Sequence, residues 1–241
     1  MNLPKLIVIA LSAIVALSGN VLGVKAAEVR SGNSRRTFAD WCREKAALNP
    51  EAKHTVEVLL EKAGTTECDV ADRKLSSLTK LFLFDKKISD IKPLASLTNL
   101  TFLSLDNNLL SDIKPLESLT NLTTIGLANN WIGDIKPLAS LTNLTLLDLD
   151  NNQINNIKPL DSLINLKSLS LSDNKINDIK SLESLTNLRF LILENNQINN
   201  IKPLQSLTKL TELHLSGNPI APKTCPLKPE SICKWEPQPK P

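Results

Sequence analysis

The strongest constraint on this fold is an internal repeat, because the sequence resembles itself every 22 residues from Leu78 onward. Each complete copy has seven apolar positions, and in the six complete copies every one of them is Leu or Ile. One coil of this length cannot bury its own apolar side chains, so successive copies must stack and share a core. The sequence therefore predicts a solenoid of seven copies, which begin at Leu78, Leu100, Leu122, Leu144, Leu166, Leu188 and Leu210.

The pattern within each copy, LxxLxLxxNxIxDIxPLxxLTN, predicts one short strand per copy. Alternate residues of the LxL segment point to opposite faces, so its leucines face the core and the strands of successive copies pair in parallel. A proline in the second half of most copies, as at Pro115 and Pro137, excludes a long outer helix. We expect short 3-10 turns or extended segments there, and an α/β fold overall.

The ninth residue of the pattern is Asn in every copy except the first, which has Lys86. A buried Asn at this place can bond to backbone groups of the turns on both sides and form a ladder along the stack. The exception at Lys86 indicates that the first copy contacts something other than another repeat. The ladder residues are Asn108, Asn130, Asn152, Asn174, Asn196 and Asn218.

The period, the Leu positions, the Asn and the I-x-D-I-x-P-L segment resemble the 22-residue repeat of bacterial internalins over about residues 78–220. The resemblance implies a right-handed leucine-rich-repeat horseshoe with parallel strands on the concave face, and protein recognition as its usual task. The sequence departs from surface-anchored internalins in having no C-terminal sorting motif or membrane tail. We therefore do not expect covalent attachment to a cell wall.

Residues 1–27 have the features of a signal peptide, with Lys5 before an apolar run and small residues after it. The run is shorter than the roughly 20 residues that span a membrane. We expect a secreted or periplasmic protein without a membrane span after signal removal. Loss of Lys5 and Lys25 leaves 26 basic and 25 acidic residues, and this balance argues against a nucleic-acid partner.

Four cysteines in an exported chain predict two disulfides. Cys42 and Cys68 precede the repeats, whereas Cys225 and Cys233 follow them. Seven strands at their usual spacing separate the two pairs by roughly 30 Å, which no disulfide can bridge. The predicted bonds are therefore Cys42–Cys68 and Cys225–Cys233.

The segments that flank the repeats are predicted to cover the ends of the stack. Thr37 with Asp40 predicts one helix start, and Asn49–Pro50 with Gly64 predicts a second helix, while residues 71–77 resemble half a repeat. Trp235 is expected to close the last repeat. The predicted division is a polar leader at 28–36, a helical N-terminal cap at 37–77, the repeats at 78–218, a disulfide-containing C-terminal cap at 219–235 and a proline-rich tail at 236–241.

Residues three, five and seven of each copy are predicted to face outward on the concave surface. Large apolar residues on a solvated sheet are typical of a binding surface. One alternative is that Phe82 and Phe84 pack against the N-terminal cap. The apolar candidates for partner binding are Phe82, Phe84, Phe102, Trp131, Leu146, Phe190 and Ile192.

A row of acidic residues lies between these apolar candidates and can bind basic side chains of a partner. Carboxylates that only solvate the sheet are the alternative. We expect no metal, because calcium needs six or more converging oxygens. These acidic candidates are Asp106, Asp148, Asp150 and Glu194, and His214 completes the set.

The sequence predicts a binding protein that is not an enzyme and has no cofactor. No HExxH, GxSxG or dinucleotide motif is present. We expect a monomer that binds a protein or peptide, with a glycan as another possible ligand. The alternatives are a regulatory or inhibitory subunit of an exported enzyme and, remotely, a weak hydrolase that uses His214 with Ser216 and Glu212 or Glu194.

Overall fold

The computed structural model describes residues 36–236. The predicted signal peptide, the leader apart from its last residue, and the tail after Glu236 lie outside these residues. The described chain begins with α1 (Phe38–Arg43), α2 (Pro50–Ala63) and α3 (Cys68–Ser76).

Local sequence signals start and end the first two helices. Before α1, the Thr37 side chain accepts a bond from the Asp40 backbone N–H, and the Asp40 side chain accepts one from the Thr37 N–H. Asn49 accepts a bond from the backbone N–H of Ala52 and starts α2. Gly64 ends α2 at a φ of 63°, a left-handed conformation that glycine adopts without steric cost.

The interpretation of residues 71–77 as half a repeat is wrong, because they belong to the third helix. Ala71 and Leu75 are buried on one side of α3, and α3 packs against α1 and α2. Cys42 in α1 is joined to Cys68 at the start of α3, as predicted. The three helices thus cover the first repeat together.

Helix α2 lies where a preceding repeat would lie. His54 Nε2 is 2.7 Å from the carbonyl oxygen of Lys86, and Thr55 Oγ1 donates a 2.7 Å bond to the carbonyl of Asp90. These contacts bond the turn of the first copy to the helical cap. A ladder Asn at position 86 would have no preceding repeat to bond, because a helix occupies that place.

Eight parallel strands form one sheet in sequence order. From the first strand to the seventh, each strand pairs with the next so that residues 22 positions apart are neighbours, as in Phe102 beside Thr124. The last strand belongs to the C-terminal segment and was not predicted. The strands are β1 (Lys80–Phe82), β2 (Phe102–Ser104), β3 (Thr124–Gly126), β4 (Leu146–Asp148), β5 (Ser168–Ser170), β6 (Phe190–Ile192), β7 (Glu212–His214) and β8 (Cys233–Lys234).

Short 3-10 helices form the outer side of the repeats, as the prolines predict. Most begin with Lys-Pro, and Ser181 replaces the proline in one of them without changing its length. The six helices are Lys92–Leu94, Lys114–Ser118, Lys136–Ser140, Lys158–Ser162, Lys180–Ser184 and Lys202–Ser206.

The repeat leucines and isoleucines form one continuous buried cluster from the N-terminal cap to the C-terminal cap. At the C-terminal end, Cys225 is bonded to Cys233, as predicted, and β8 pairs with β7. Trp235 packs partly buried against the same cluster. The architecture is therefore the leucine-rich-repeat solenoid that the repeat predicts, with a helical cap at its N-terminal end.

Each ladder Asn bonds to the backbone of its own repeat and to that of the preceding repeat. The Asn152 amide oxygen accepts a 3.0 Å bond from the Ile132 N–H, and its Nδ2 donates to the carbonyl of Leu127 in the preceding repeat at 3.0 Å. The same Nδ2 also lies 3.1 Å from the carbonyls of Leu149 and Asp150 in its own repeat. These contacts satisfy buried backbone groups that the short strands leave unpaired.

We predict that Asn152→Ala lowers the free energy of unfolding by about 3 kcal/mol, because buried backbone groups of two repeats lose their partners. Urea denaturation measures the change. Gln153→Ala is the matched control, since Gln153 is exposed and a truncation there changes stability by about 0.5 kcal/mol or less. Equal stability of the two variants would show that the ladder does not stabilise the stack.

Candidate functional site on the concave face

The register of the sheet arranges the outward residues in three rows. The third residues of the copies form one row and the fifth residues form a second. The seventh residues lie just after the strands and form a third row, which backbone hydrogen bonds between the copies hold in register. In β1, Leu81 is buried whereas Lys80 and Phe82 are exposed, as alternation requires.

Phe82, Phe84 and Phe102 lie together at the N-terminal end of this face, and we call them the aromatic cluster. The ring centroids of Phe82 and Phe102 are 4.8 Å apart at an interplanar angle of 39°. Phe82 is 47% exposed and Phe84 is 57% exposed, so neither is buried by the N-terminal cap. About half of each side chain thus remains accessible to a ligand.

Trp131 lies in a turn beside the sheet rather than on a strand. It is 59% exposed, and Leu109 at the same place in the preceding copy is 49% exposed. Together with the exposed Asn129 they line a cleft of about 350 Å³. The structure thus places Trp131 on the rim of the concave face.

The remaining apolar candidates are spread over two strands. Leu146 in β4 is 40% exposed, and Phe190 in β6 is 46% exposed. Ser168 in β5 pairs with both, so one strand separates them. Ile192 lies half-buried two residues after Phe190. The pair on β6 is therefore one apolar patch, and Leu146 is a separate one.

Two of the acidic candidates bond to the neighbouring strand. Asp106 accepts a 2.7 Å bond from Ser104 Oγ and a 2.9 Å bond from the Ala128 N–H. Its carboxylate lies over Gly126, where an added Cβ would be only 2.4 Å from Asp106 Oδ2. The bonds to the neighbouring repeat give Asp106 a structural role that the sequence pattern did not indicate.

Asp150, which lies two repeats after Asp106, makes the same kind of contact. Its Oδ1 accepts 2.6 Å bonds from Ser170 Oγ and from the backbone N–H of Ser172. The carboxylate therefore leans over β5. Burial raises the pKa of Asp150, and the charges of Asp173 and Glu194 add to that effect.

Asp148 is the most perturbed acid on this face. Burial, together with the nearby charges of Asp150 and Asp106, raises its pKa to about 6, against a backbone bond that lowers it. The bond comes from the Asp150 N–H, at 3.1 Å from Asp148 Oδ1. Negative charge is thus concentrated above β4 and β5.

His214 lies buried between two carboxylates near the C-terminal end of the face. Its Nε2 is 2.7 Å from Glu212 Oε1, and its Nδ1 is 3.5 Å from Glu194 Oε1. Ser216 Oγ has no hydrogen-bond partner. The contact between serine and histidine that a hydrolase would use is therefore not made.

The convex side carries a cleft that the sequence did not indicate. Arg36 lies over the Trp41 ring, with its guanidinium carbon 3.6 Å from the ring centroid. These two residues line a cleft of about 740 Å³ together with Lys114, Pro115 and Pro137 of the second and third copies. Its only sequence signal is the tryptophan beside Cys42 in the cap.

Residues 36–236 contain no cluster of three or more His, Cys, Asp or Glu side chains suited to a metal ion. Within the same residues, no helix combines the length and apolarity that crossing a membrane requires.

The similarity of this chain to known proteins lies in its repeats. A family model described as leucine-rich repeats (2 copies) matches residues 76–118, 120–162, 164–206 and 186–228. Internalin C2 from Listeria monocytogenes is 31% identical with a TM-score of 0.64, and the match covers 78% of this chain and 93% of that protein. This chain belongs to the internalin-type leucine-rich-repeat proteins.

Other solved structures share part of their length with this internalin-type chain. Internalin F from Listeria monocytogenes is 39% identical with a TM-score of 0.58, over 60% of this chain and 43% of that one. A leucine-rich-repeat protein of Leptospira interrogans is 28% identical with the same TM-score, over 69% and 50%. The chain thus spans half or less of these two proteins. Comparison with curated proteins gives no match.

A plant peptide hormone receptor, RGFR1, solved in complex with RGF2, has a TM-score of 0.54 and is 22% identical. The match covers 59% of this chain and 25% of the receptor. At this identity the likeness is one of fold alone.

The raised pKa of Asp148 predicts how stability depends on pH. The carboxyl binds its proton more tightly in the folded protein than in the unfolded chain, so it destabilises the fold progressively as pH rises from about 4 to about 6. We predict that Asp148→Asn stabilises the protein above pH 6 by roughly 1 kcal/mol after allowance for solvent screening.

Urea unfolding between pH 4 and pH 8 measures this difference. The gain for Asp148→Asn should shrink toward zero as pH falls to 4, where the wild-type carboxyl is protonated in the folded state. Asp161→Asn is the control, because Asp161 is exposed on the convex side. A gain that is independent of pH, or equal in the control, would contradict the assignment.

Proposed function

We propose that this protein is a non-catalytic recognition module that binds a protein or peptide ligand through the concave face of its solenoid. The main support for this proposal is the aromatic cluster, in which Phe82 and Phe84 are exposed on the concave face of the sheet. Exposed aromatic side chains that contact one another are typical of interfaces, where they supply much of the binding energy.

The fold itself does not need large residues at these places. The residues of the third copy equivalent to Phe102 and Phe82 are Thr124 and Gly126, and those of the fifth copy are Ser168 and Ser170. The same strands form with either kind of side chain. The phenylalanines are therefore best explained by a ligand rather than by stability.

The neighbouring structures support a macromolecular ligand. The plant peptide hormone receptor, which has the same fold, was solved in complex with RGF2. A shallow curved sheet presents several exposed side chains at once, and an extended protein segment can contact all of them.

We place the protein outside the cytoplasm, as a secreted or periplasmic monomer. The disulfides Cys42–Cys68 and Cys225–Cys233 support this location, because such bonds persist in oxidising compartments. The signal peptide predicted for residues 1–27 is consistent with it.

We predict that the double variant Phe102→Asp/Phe190→Asp loses its ligand. Each substitution puts a charge in an apolar contact, and the loss of such a contact typically costs tenfold or more in affinity. The measurement is affinity capture from the exported fraction with the mature protein, followed by titration of the captured ligand against wild type and variant.

Ile164→Asp is the matched control, because Ile164 is 53% exposed but lies outside the strands that form the concave face. Circular dichroism should show unchanged folding for all variants. Equal capture by wild type, double variant and control would exclude the concave face as the binding surface.

A further inference from the structure

The C-terminal half of the concave face contains polar atoms that the fold leaves without partners. Ser172 and Ser216 are 6% and 4% exposed, and the hydroxyl oxygen of each is buried without a hydrogen-bond partner. Oε1 of Glu194 also accepts no hydrogen bond and has only the 3.5 Å ion-pair contact with His214. Buried polar atoms without partners are rare, and each one needs an explanation.

These atoms are neighbours. Ser172, Glu194 and Ser216 are the seventh residues of three successive copies, and backbone bonds join their strands in register. Asp150 precedes them in the same row and leans toward Ser172, whose N–H it accepts. The row therefore presents two carboxylates and two hydroxyls at intervals of about 4.8 Å.

No basic side chain of the described residues neutralises the charges of Asp148 and Asp150, whereas Glu194 Oε1 lies 3.5 Å from His214 Nδ1. The charged groups that raise the pKa values of Asp148 and Asp150 are all carboxylates. Among residues 36–236, no Lys or Arg forms an ion pair with either. Partly buried carboxylates without a cation favour a positively charged ligand.

We propose that the surface formed by Asp148, Asp150, Ser172 and Glu194 receives an arginine side chain of the ligand. The proposal rests on the proposed function, because it assigns one chemical group to the protein or peptide bound on the concave face. The aromatic cluster contacts apolar residues of that ligand, and the acidic surface fixes its register by one cationic side chain.

A guanidinium fits this surface better than an ammonium or a metal ion does. It is planar and carries five N–H donors, so it can bond two carboxylates and a hydroxyl at the same time. A serine hydroxyl rotates to meet such a donor. Calcium requires six to eight oxygens around one point, whereas these oxygens are spread along a row and form no metal cluster.

The fold does not require this combination of residues. In the third copy the seventh residue is Ala128, which is buried and forms the same backbone bonds without any side-chain oxygen. The serines at positions 172 and 216 therefore bury polar atoms where an apolar side chain fits. An arginine that donates to Ser172 gives this hydroxyl the partner that the free protein lacks.

The test uses three blocked tripeptides as probes: acetyl-Ala-Arg-Ala-amide, its Lys counterpart and its Gln counterpart. Titration into the ¹⁵N-labelled protein, followed by amide chemical shifts, measures both the dissociation constant and the location. We expect the Arg peptide to shift the amides of residues 148–150, 170–172 and 192–194, and to bind about tenfold more tightly than the Gln peptide.

Two variants test the individual atoms. Asp148→Asn removes a charge but keeps the oxygen that accepts the Asp150 N–H, and Ser172→Ala removes only the hydroxyl without a partner. Each should weaken Arg-peptide binding by about tenfold. Ser96→Ala is the matched control, because Ser96 Oγ is equally without a partner but lies after the first 3-10 helix on the convex side. Its binding should equal that of wild type.

The results that would contradict the arginine site differ from those that would contradict the proposed function. Equal binding of the Arg and Gln peptides, or unchanged binding by Asp148→Asn and Ser172→Ala, overturns the arginine site. Equal binding of the Lys peptide overturns the guanidinium assignment. If the natural ligand is lost by Phe102→Asp/Phe190→Asp yet kept at full affinity by the two acidic-surface variants, the recognition function stands and the arginine site is wrong.

Discussion

The whole molecule depends on apolar contact between one 22-residue coil and the next. A single coil has one layer of leucines and isoleucines and nothing of its own to cover them, so its stability comes from its neighbours. The parallel strands, the register and the curvature follow from repeating that contact. The same dependence exposes the core at both ends of the stack, where three helices cover one end and a disulfide-linked segment covers the other.

The polar interior follows from the same stacking. Strands of three residues satisfy few backbone groups, and the turns after them enter the core with carbonyl and N–H groups still unpaired. The ladder asparagines supply those bonds, each to its own repeat and to the one before it, as Asn152 shows. At the first copy the neighbour is helix α2, and His54 and Thr55 bond to its turn instead. Apolar stacking and polar bonding therefore hold the coils together at the same sites.

Because the inward positions carry the stability, the outward positions of the strands are free to differ between copies. They carry phenylalanines at one end, carboxylates in the middle and a histidine between two glutamates at the other end. The structure divides the carboxylates by role. Asp106 accepts one bond from Ser104 of its own repeat and one from the Ala128 N–H of the next repeat, and so serves the sheet. Asp148, in contrast, concentrates charge with a raised pKa and serves recognition in our proposal. A scaffold that repeats along the chain, with a face that differs between copies, suits the recognition function that we propose.

Sequence alone determined the repeat, the strand positions, the inward and outward faces, the Asn ladder and the family, because each follows from a local pattern that recurs every 22 residues. It also determined both disulfides, because the repeats hold the two pairs of cysteines far apart. It did not reveal helix α3, since a nine-residue helix with two buried residues resembles the start of a repeat. Nor did it reveal strand β8, which forms only because β7 offers an open edge. Only the tertiary structure decided which carboxylates are bonded, which hydroxyls lack partners and whether Phe82 is covered. Those properties depend on contacts between the outward side chains of adjacent repeats. The repeat pattern does not specify which residues occupy the outward positions, so it does not specify these contacts.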